Sequence, residues 1–192
     1  RIRLTEKAQH TVARHQVVII GGGLAGAAAA IELRRASVDV LVVDRDQFPR
    51  RKVCGGFLSP GAIRSLDALG VLPKVLAQGA VPVHRAHLQM GTREIDIPFD
   101  QLCLGLSRER LDQILAEAAD VCPGRSVERV ETLARGFRVH GQCDDGQAFA
   151  AEADIVIDAA GKLSRFAGRR AGSQYGVQFY ETRSTEATLE FC

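Results

Sequence analysis

Three glycines, Gly21, Gly23 and Gly26, follow the β-branched run 17–20 in the string V-V-I-I-G-G-G-L-A-G, and Asp44 closes a second apolar run, V-L-V-V. A strand that turns sharply into a helix leaves the helix's first N–H groups without intrahelical partners, and those groups attract an anion. Gly21 permits the tight turn, Gly23 lets backbone approach a pyrophosphate, and Gly26 lets the helix lie close to the strand. The backbone of Leu24 and Ala25 completes the anion-facing helix start. Asp44 follows at roughly the 20-residue spacing at which a carboxylate accepts from ribose. It is expected to accept from both ribose hydroxyls; the competing reading is a solvated carboxylate at a strand end. The pattern therefore predicts a bound dinucleotide. An acidic residue at this point disfavours a 2′-phosphate, because like charges would meet out of water, but it does not separate NAD from FAD.

Other reactive residue types form no comparable constellation. His10, His15, His84, His87 and His140 make no triad or metal cluster by spacing, and neither Ser59 nor Ser107 has a base to activate it. Cys54, Cys103, Cys122, Cys143 and Cys192 have no metal-ligand spacing. Their odd number argues against a complete intrachain disulfide framework and for a cytoplasmic setting. The net charge of +2 is mild, its charges are mixed, and Trp is absent, which disfavours a nucleic-acid surface. No stretch is apolar and long enough to be a membrane span, and the polar start lacks a signal-peptide core. A small-molecule partner is the remaining expectation, and the oligomeric state is open.

The elements that must position these residues follow from periodicity. Residues 17–20 predict a central parallel strand, 24–35 a helix rich in small residues, and 38–43 a second strand, a right-handed strand–helix–strand unit. Pro60 starts a helix running to about Leu69 with Gly70 as its stop, and a shorter helix covers 72–78. Alternation over 84–90 and 94–99 predicts a hairpin around Gly91. Ser107 caps a helix over 108–119. Three short strands, 127–133, 137–142 and 148–151, form an antiparallel meander inserted between parallel strands, and 154–158 is again a strand. Two further strands are expected at 177–180 and 188–191.

With those motifs in place the sequence resembles a known group. The order Gly21 to Gly26, Asp44-Arg45, then Pro49-Arg50-Arg51-Lys52-Val53-Cys54-Gly55-Gly56 is similar to the geranylgeranyl reductase group of FAD-dependent oxidoreductases. That group lies within the wider aromatic-hydroxylase class of flavoproteins, which includes flavin-dependent halogenases. Arg108-Glu109-Arg110-Leu111-Asp112 resembles a further motif of the group: arginine, two residues, aromatic or leucine, aspartate. The resemblance implies an α/β, Rossmann-like FAD-binding domain with inserted antiparallel strands and the start of a substrate-domain sheet. It implies FAD as cofactor, leaves NAD(P)H as a candidate electron donor, and implies an apolar or aromatic substrate. Arg108 would contact the FAD pyrophosphate or neighbouring backbone, Arg45 would flank the adenosine part, and Lys52 and Gly161 would join the cofactor site. Cys54, Gly55 and Gly56 would lie near the flavin ring. There Cys54 would shape the substrate cavity, donate a proton, or be only a buried structural thiol. For Arg108 the alternative is an exposed first-turn helix residue.

Two departures from the group stand out. Ala160 occupies the place of an aspartate that related monooxygenases carry, although Gly161 and Ser164 are retained. A second FAD-binding segment with a Gly-Asp pair is missing between Ser164 and Cys192, so an N-terminal fragment of a larger enzyme is expected. The division expected is a polar tail over 1–16, a βαβ core and flavin-facing loop over 17–83, and a hairpin leading to the substrate domain over 84–106. The remainder of the FAD domain covers 107–172, and the start of a truncated substrate domain 173–192. The expected activity is reduction of an alkene or oxidation of a lipid-, polyketide- or aromatic-type substrate. The alternatives are a flavin monooxygenase or halogenase of secondary metabolism, or an inactive nucleotide-binding fragment. A simple NAD-dependent dehydrogenase is disfavoured, because the region after Asp44 does not continue as further βα units.

Overall fold

A computed structural model describes residues 12–166 and 189–191. Two sheets organise them. In the larger, β1 (Ala13–Ile20) lies between β2 (Val40–Val43) and β9 (Ala148–Asp158), parallel to both. The short β6 (Val121–Cys122) extends the parallel part beyond β2. On the other side β8 (Phe137–Cys143) and β7 (Arg125–Thr132) add antiparallel strands, giving the order β6-β2-β1-β9-β8-β7. This is a Rossmann-like α/β fold with inserted antiparallel strands.

The central strand is buried on both faces because its residues alternate between two cores. Val17 and Ile19 pack with Val40, Val42 and Ile31 on the side of α1 (Leu24–Arg35) and α4 (Arg108–Ala118). Val18 and Ile20 pack with Val43, Val127, Val139 and Ala153 under the antiparallel strands. A β-branched run with no polar position is what such double burial selects. Ala27 and Ala30 of α1 are completely buried, and their small side chains bring the helix close to the sheet.

Several boundaries differ from expectation. β1 begins at Ala13, so part of the polar segment over 1–16 belongs to the sheet, where Arg14 pairs with Glu152 and Asp154 of β9. Third strand of the meander and following parallel strand, expected as separate pieces at 148–151 and 154–158, are one strand, β9. Its residues 148–153 pair antiparallel with β8 while 151–158 pair parallel with β1. The polar Glu152 and Asp154 interrupt the apolar pattern without breaking the ladder. β6 was missed because it has two residues and ends against Pro123.

The smaller sheet has the order β10-β4-β5-β3. Its hairpin, β4 (Val81–Met90) and β5 (Arg93–Gly105), is longer than expected, and the far end of β5 also pairs with the two-residue β3 (Phe57–Leu58). β10 (Leu189–Phe191) runs parallel to β4, while the strand expected at 177–180 lies outside the described residues. α2 (Pro60–Ala68) and α3 (Leu72–Ala77) match their predicted signals closely. Ser59 caps α2, and Gly70 takes φ +69° after its end. Ser107 Oγ accepts from the Arg110 amide and caps α4.

Candidate functional site

The β1–α1 turn is built on close approach. Gly21 has φ +107°, and a Cβ there would meet the Ala159 carbonyl oxygen at 2.5 Å. A Cβ on Gly26 would collide with the Gly21 carbonyl oxygen. At Gly23, the N-cap of α1, no side chain caps the helix and no acidic residue occupies its first turn. The groups nearest Gly23 are cations: a Cβ there would lie 3.5 Å from an Arg50 terminal nitrogen and 3.8 Å from Lys52 Nζ. Open N–H groups with positive charge beside them form an anion site.

A crevice of about 290 Å³ opens at this turn. Gly21, Gly23, Asp44, Arg45, Lys52 and Gly161 line it, so the structure brings most of the expected nucleotide-binding positions together. Leu24, Ala25 and Gly26 stand just behind, in the first turn of α1. Gly161, at φ +77°, has open space around it. Arg45 is exposed and pairs with Asp46 at 3.5 Å. Asp158 folds back rather than facing the crevice: Oδ1 accepts the Ala160 amide at 3.1 Å, and Oδ2 accepts from Ser164 Oγ at 2.5 Å.

Asp44 is buried and already engaged. Its Oδ2 accepts the Gly22 amide at 2.7 Å, while Oδ1 accepts the Asp46 amide at 2.9 Å and an Arg50 terminal N–H at 2.7 Å. The solvated strand-end reading is therefore corrected: this carboxylate is only 5% exposed and ties the second strand to the glycine turn.

Behind the crevice lies a second carboxylate, Asp112, with no exposed surface. Arg108 grips it with two bonds, Nε to Oδ1 at 2.7 Å and a terminal nitrogen to Oδ2 at 3.1 Å. Arg50 Nε lies 3.7 Å from the same Oδ2. Burial alone would weaken the Arg108 proton, but the bonds to Asp112 and Cys54 outweigh it and hold its pKa above the ordinary value. Lys52 shifts the other way, lowered first by burial and then by the neighbouring charge of Arg50.

Arg108 thus turns toward Asp112 and Cys54, not toward the glycine turn, and the exposed first-turn alternative is corrected. With Cys54, Gly55 and Gly56 it lines a separate concavity of about 730 Å³. Gly56 fits closely there at φ +73°, since a Cβ would lie 2.8 Å from the Leu106 carbonyl oxygen. Sequence reasoning missed the pair that joins the two spaces, Arg50 and Asp112. Both stand inside motifs quoted for the resemblance, yet spacing does not reveal that Arg50 turns inward, with 10% of its side chain exposed, while Arg51 is 82% exposed.

A glycine turn opening a helix, an acidic end on the next parallel strand and a cation-rimmed crevice between them define a dinucleotide-binding α/β protein. The chain belongs to the FAD binding domain family, whose model matches residues 14–167. It is 34% identical over 177 residues to a menaquinone reductase of Mycolicibacterium smegmatis, covering 85% of this chain and 43% of that protein. A kynurenine 3-monooxygenase of Salinispora tropica is 29% identical over 183 residues, covering 86% and 39%. Among solved structures, the myxobacterial chondrochloren halogenase superposes with a TM-score of 0.72 at 21% identity, over 80% of this chain and 38% of that one, and shares the fold. The chain therefore spans about two fifths of the length of these curated relatives. No helix among the described residues is long and apolar enough to cross a membrane.

The residues present fit FAD. Uncapped α1 amides, Arg50 and Lys52 gather the donors and positive charge that a diphosphate requires, and Asp44 lines the same crevice with the acceptor chemistry that a ribose requires. Arg50 Nε is buried without a hydrogen-bond partner, a donor still to be satisfied.

Proposed function

We propose that the whole protein is an FAD-dependent oxidoreductase acting on an apolar or aromatic organic substrate by the monooxygenase or halogenase route. The carrying observation is the crevice that sets Asp44, the open start of α1 and the Arg50–Lys52 pair around one shared space. In this reading Asp44 holds the adenosine ribose, α1 with Arg50 and Lys52 holds the diphosphate, and Arg45 flanks the adenosine. Arg108 fixes the Cys54–Gly56 loop, whose concavity would border the flavin ring and receive substrate. Bound FAD supplies hydride and two-electron chemistry and, when reduced, reactivity toward O₂, while the protein supplies orientation and field. The hairpin β4–β5 with β10 would begin the substrate domain, and NAD(P)H would be the electron donor. The relationship to a kynurenine 3-monooxygenase and the fold shared with a halogenase favour oxygen chemistry over the alkene reduction expected from the geranylgeranyl-reductase resemblance.

A second reading, reduction without oxygen, is favoured by two observations. Ala160 replaces the carboxylate of the related monooxygenases, and the menaquinone reductase relative has the higher identity. The test uses the full-length protein carrying flavin, assayed with NAD(P)H and a panel of quinone, polyprenyl and aromatic compounds. Substrate-dependent O₂ uptake with ¹⁸O or halide in the product supports the first reading. Undiminished turnover without O₂, giving a product gaining only hydrogen, selects the second.

A further inference from the structure

We infer that Arg50 is a specificity-determining residue of the cofactor crevice, an exchangeable partner of Asp44 that makes the site select diphosphate-bearing nucleotides over bare nucleosides. The inference deepens the FAD reading and rests on it.

The reasoning begins with acceptor capacity. A carboxylate has about four lone-pair positions. Three at Asp44 are taken, by the Gly22 amide, the Asp46 amide and Arg50. Two ribose hydroxyls need two positions, so one existing donor must leave. The two amides belong to the glycine turn and to the tight turn after β2, and neither can withdraw without unmaking backbone. Arg50 is the one side-chain donor of the three.

Arg50 also has somewhere to go. Its Nε is the one buried side-chain polar atom without a hydrogen-bond partner among the described residues. Its terminal nitrogen borders Gly23, at the open end of α1. Asp112 Oδ2, 3.7 Å from Nε, anchors the guanidinium from behind, beyond hydrogen-bond range. An anion at α1 would offer the planar fork charge-assisted bonds in place of the one released at Asp44. Arg50 keeps Asp46 Oδ2, 2.7 Å from the same nitrogen, in either case, but a nucleoside lacking phosphate offers ribose to Asp44 and no acceptor to Arg50, so it breaks the Asp44–Arg50 bond with nothing from the ligand in its place. The same residue therefore opposes adenosine and favours ADP or FAD.

The experiment compares the full chain with Arg50→Met and Arg50→Lys by FAD fluorescence titration and by displacement with ADP and with adenosine. Arg50→Met is expected to weaken FAD and ADP about tenfold or more, the loss of charge-assisted bonds, while adenosine binds as well as to the wild type or several-fold better. Arg50→Lys, which keeps charge but not the fork, should move both ligands in the same directions by less, and it serves alone if the methionine variant fails to fold. Parallel weakening of adenosine and ADP, or no change in either, overturns the inference while leaving the FAD reading intact. Absence of FAD binding to the wild-type chain overturns both.

Discussion

The carboxylate of Asp44 holds the amide of Gly22, 2.7 Å away across the crevice edge, so a crevice-lining residue at the end of β2 also fastens the turn that opens α1. Asp44→Asn keeps one acceptor oxygen and the same shape, whereas Asp44→Ala removes the acceptor of the Gly22 and Asp46 amides and leaves Arg50 with the Asp46 carboxylate at 2.7 Å. The asparagine variant should fold with a small loss and bind FAD at least tenfold more weakly. The alanine variant should lose about 1–3 kcal/mol of stability as well. Urea unfolding beside flavin titration separates the two effects. Equal stability of both variants would show that the bond to Gly22 contributes nothing.

Asp112 invites a second test because it is fully buried between two guanidinium groups. Removing one partner of a buried ion pair strands the other charge, which costs about 3–5 kcal/mol. Asp112→Ala should therefore unfold at markedly lower denaturant than wild type. The double variant Asp112→Leu with Arg108→Met, which removes the Arg108 charge too, should recover part of the loss. A loss in the double variant equal to the sum of the Asp112→Leu and Arg108→Met losses would mean that Arg108 does not depend on this carboxylate.

The order of elements around the nucleotide crevice was legible because each carried a local physical signal. Val17 to Ile20 admits no polar face, Pro60 and Ser59 set the start of α2, and Ser107 sets that of α4. What escaped was whatever depends on distant partners. β9 reads as two pieces since Glu152 and Asp154 look like a break, yet Arg14 and Arg138 satisfy Glu152 from the neighbouring strands. Arg50 and Arg51 are indistinguishable in sequence, and only the positions of Asp44 and Asp112 decide which turns inward. For the same reason the bond from Arg108 to Asp112, one helical turn along α4, is not visible in the spacing that the resemblance uses.

Gly26 supplies a test of the helix–turn contact. A Cβ there would collide with the Gly21 carbonyl oxygen and lie 3.2 Å from the Ala159 side chain. Neither the backbone of the turn nor the loop after β9 can yield without opening the anion site. Gly26→Ala should thus abolish FAD binding and lower the thermal midpoint, despite alanine's higher helix propensity. Gly61→Ala, within α2 and 3.8 Å or more from its neighbours, is the control and should be neutral or slightly stabilising.

Lys52 should make cofactor affinity depend on pH in the alkaline range. Burial and the Arg50 charge lower its pKa relative to an unfolded chain, so folding favours loss of the proton. The protonated lysine therefore costs stability at neutral pH, and that cost fades as pH rises through the folded-state value toward the ordinary lysine range. An anion beside Nζ acts in the opposite sense and favours the charged form. FAD affinity should hence be constant while Lys52 is protonated and fall as pH climbs through its lowered value, with protons taken up on binding in that window. Calorimetric titration in two buffers of different ionisation enthalpy measures the uptake. Lys52→Arg, whose charge persists at any accessible pH, should remove both the uptake and the fall. If the arginine variant keeps the wild-type pH profile, Lys52 is not the group that titrates.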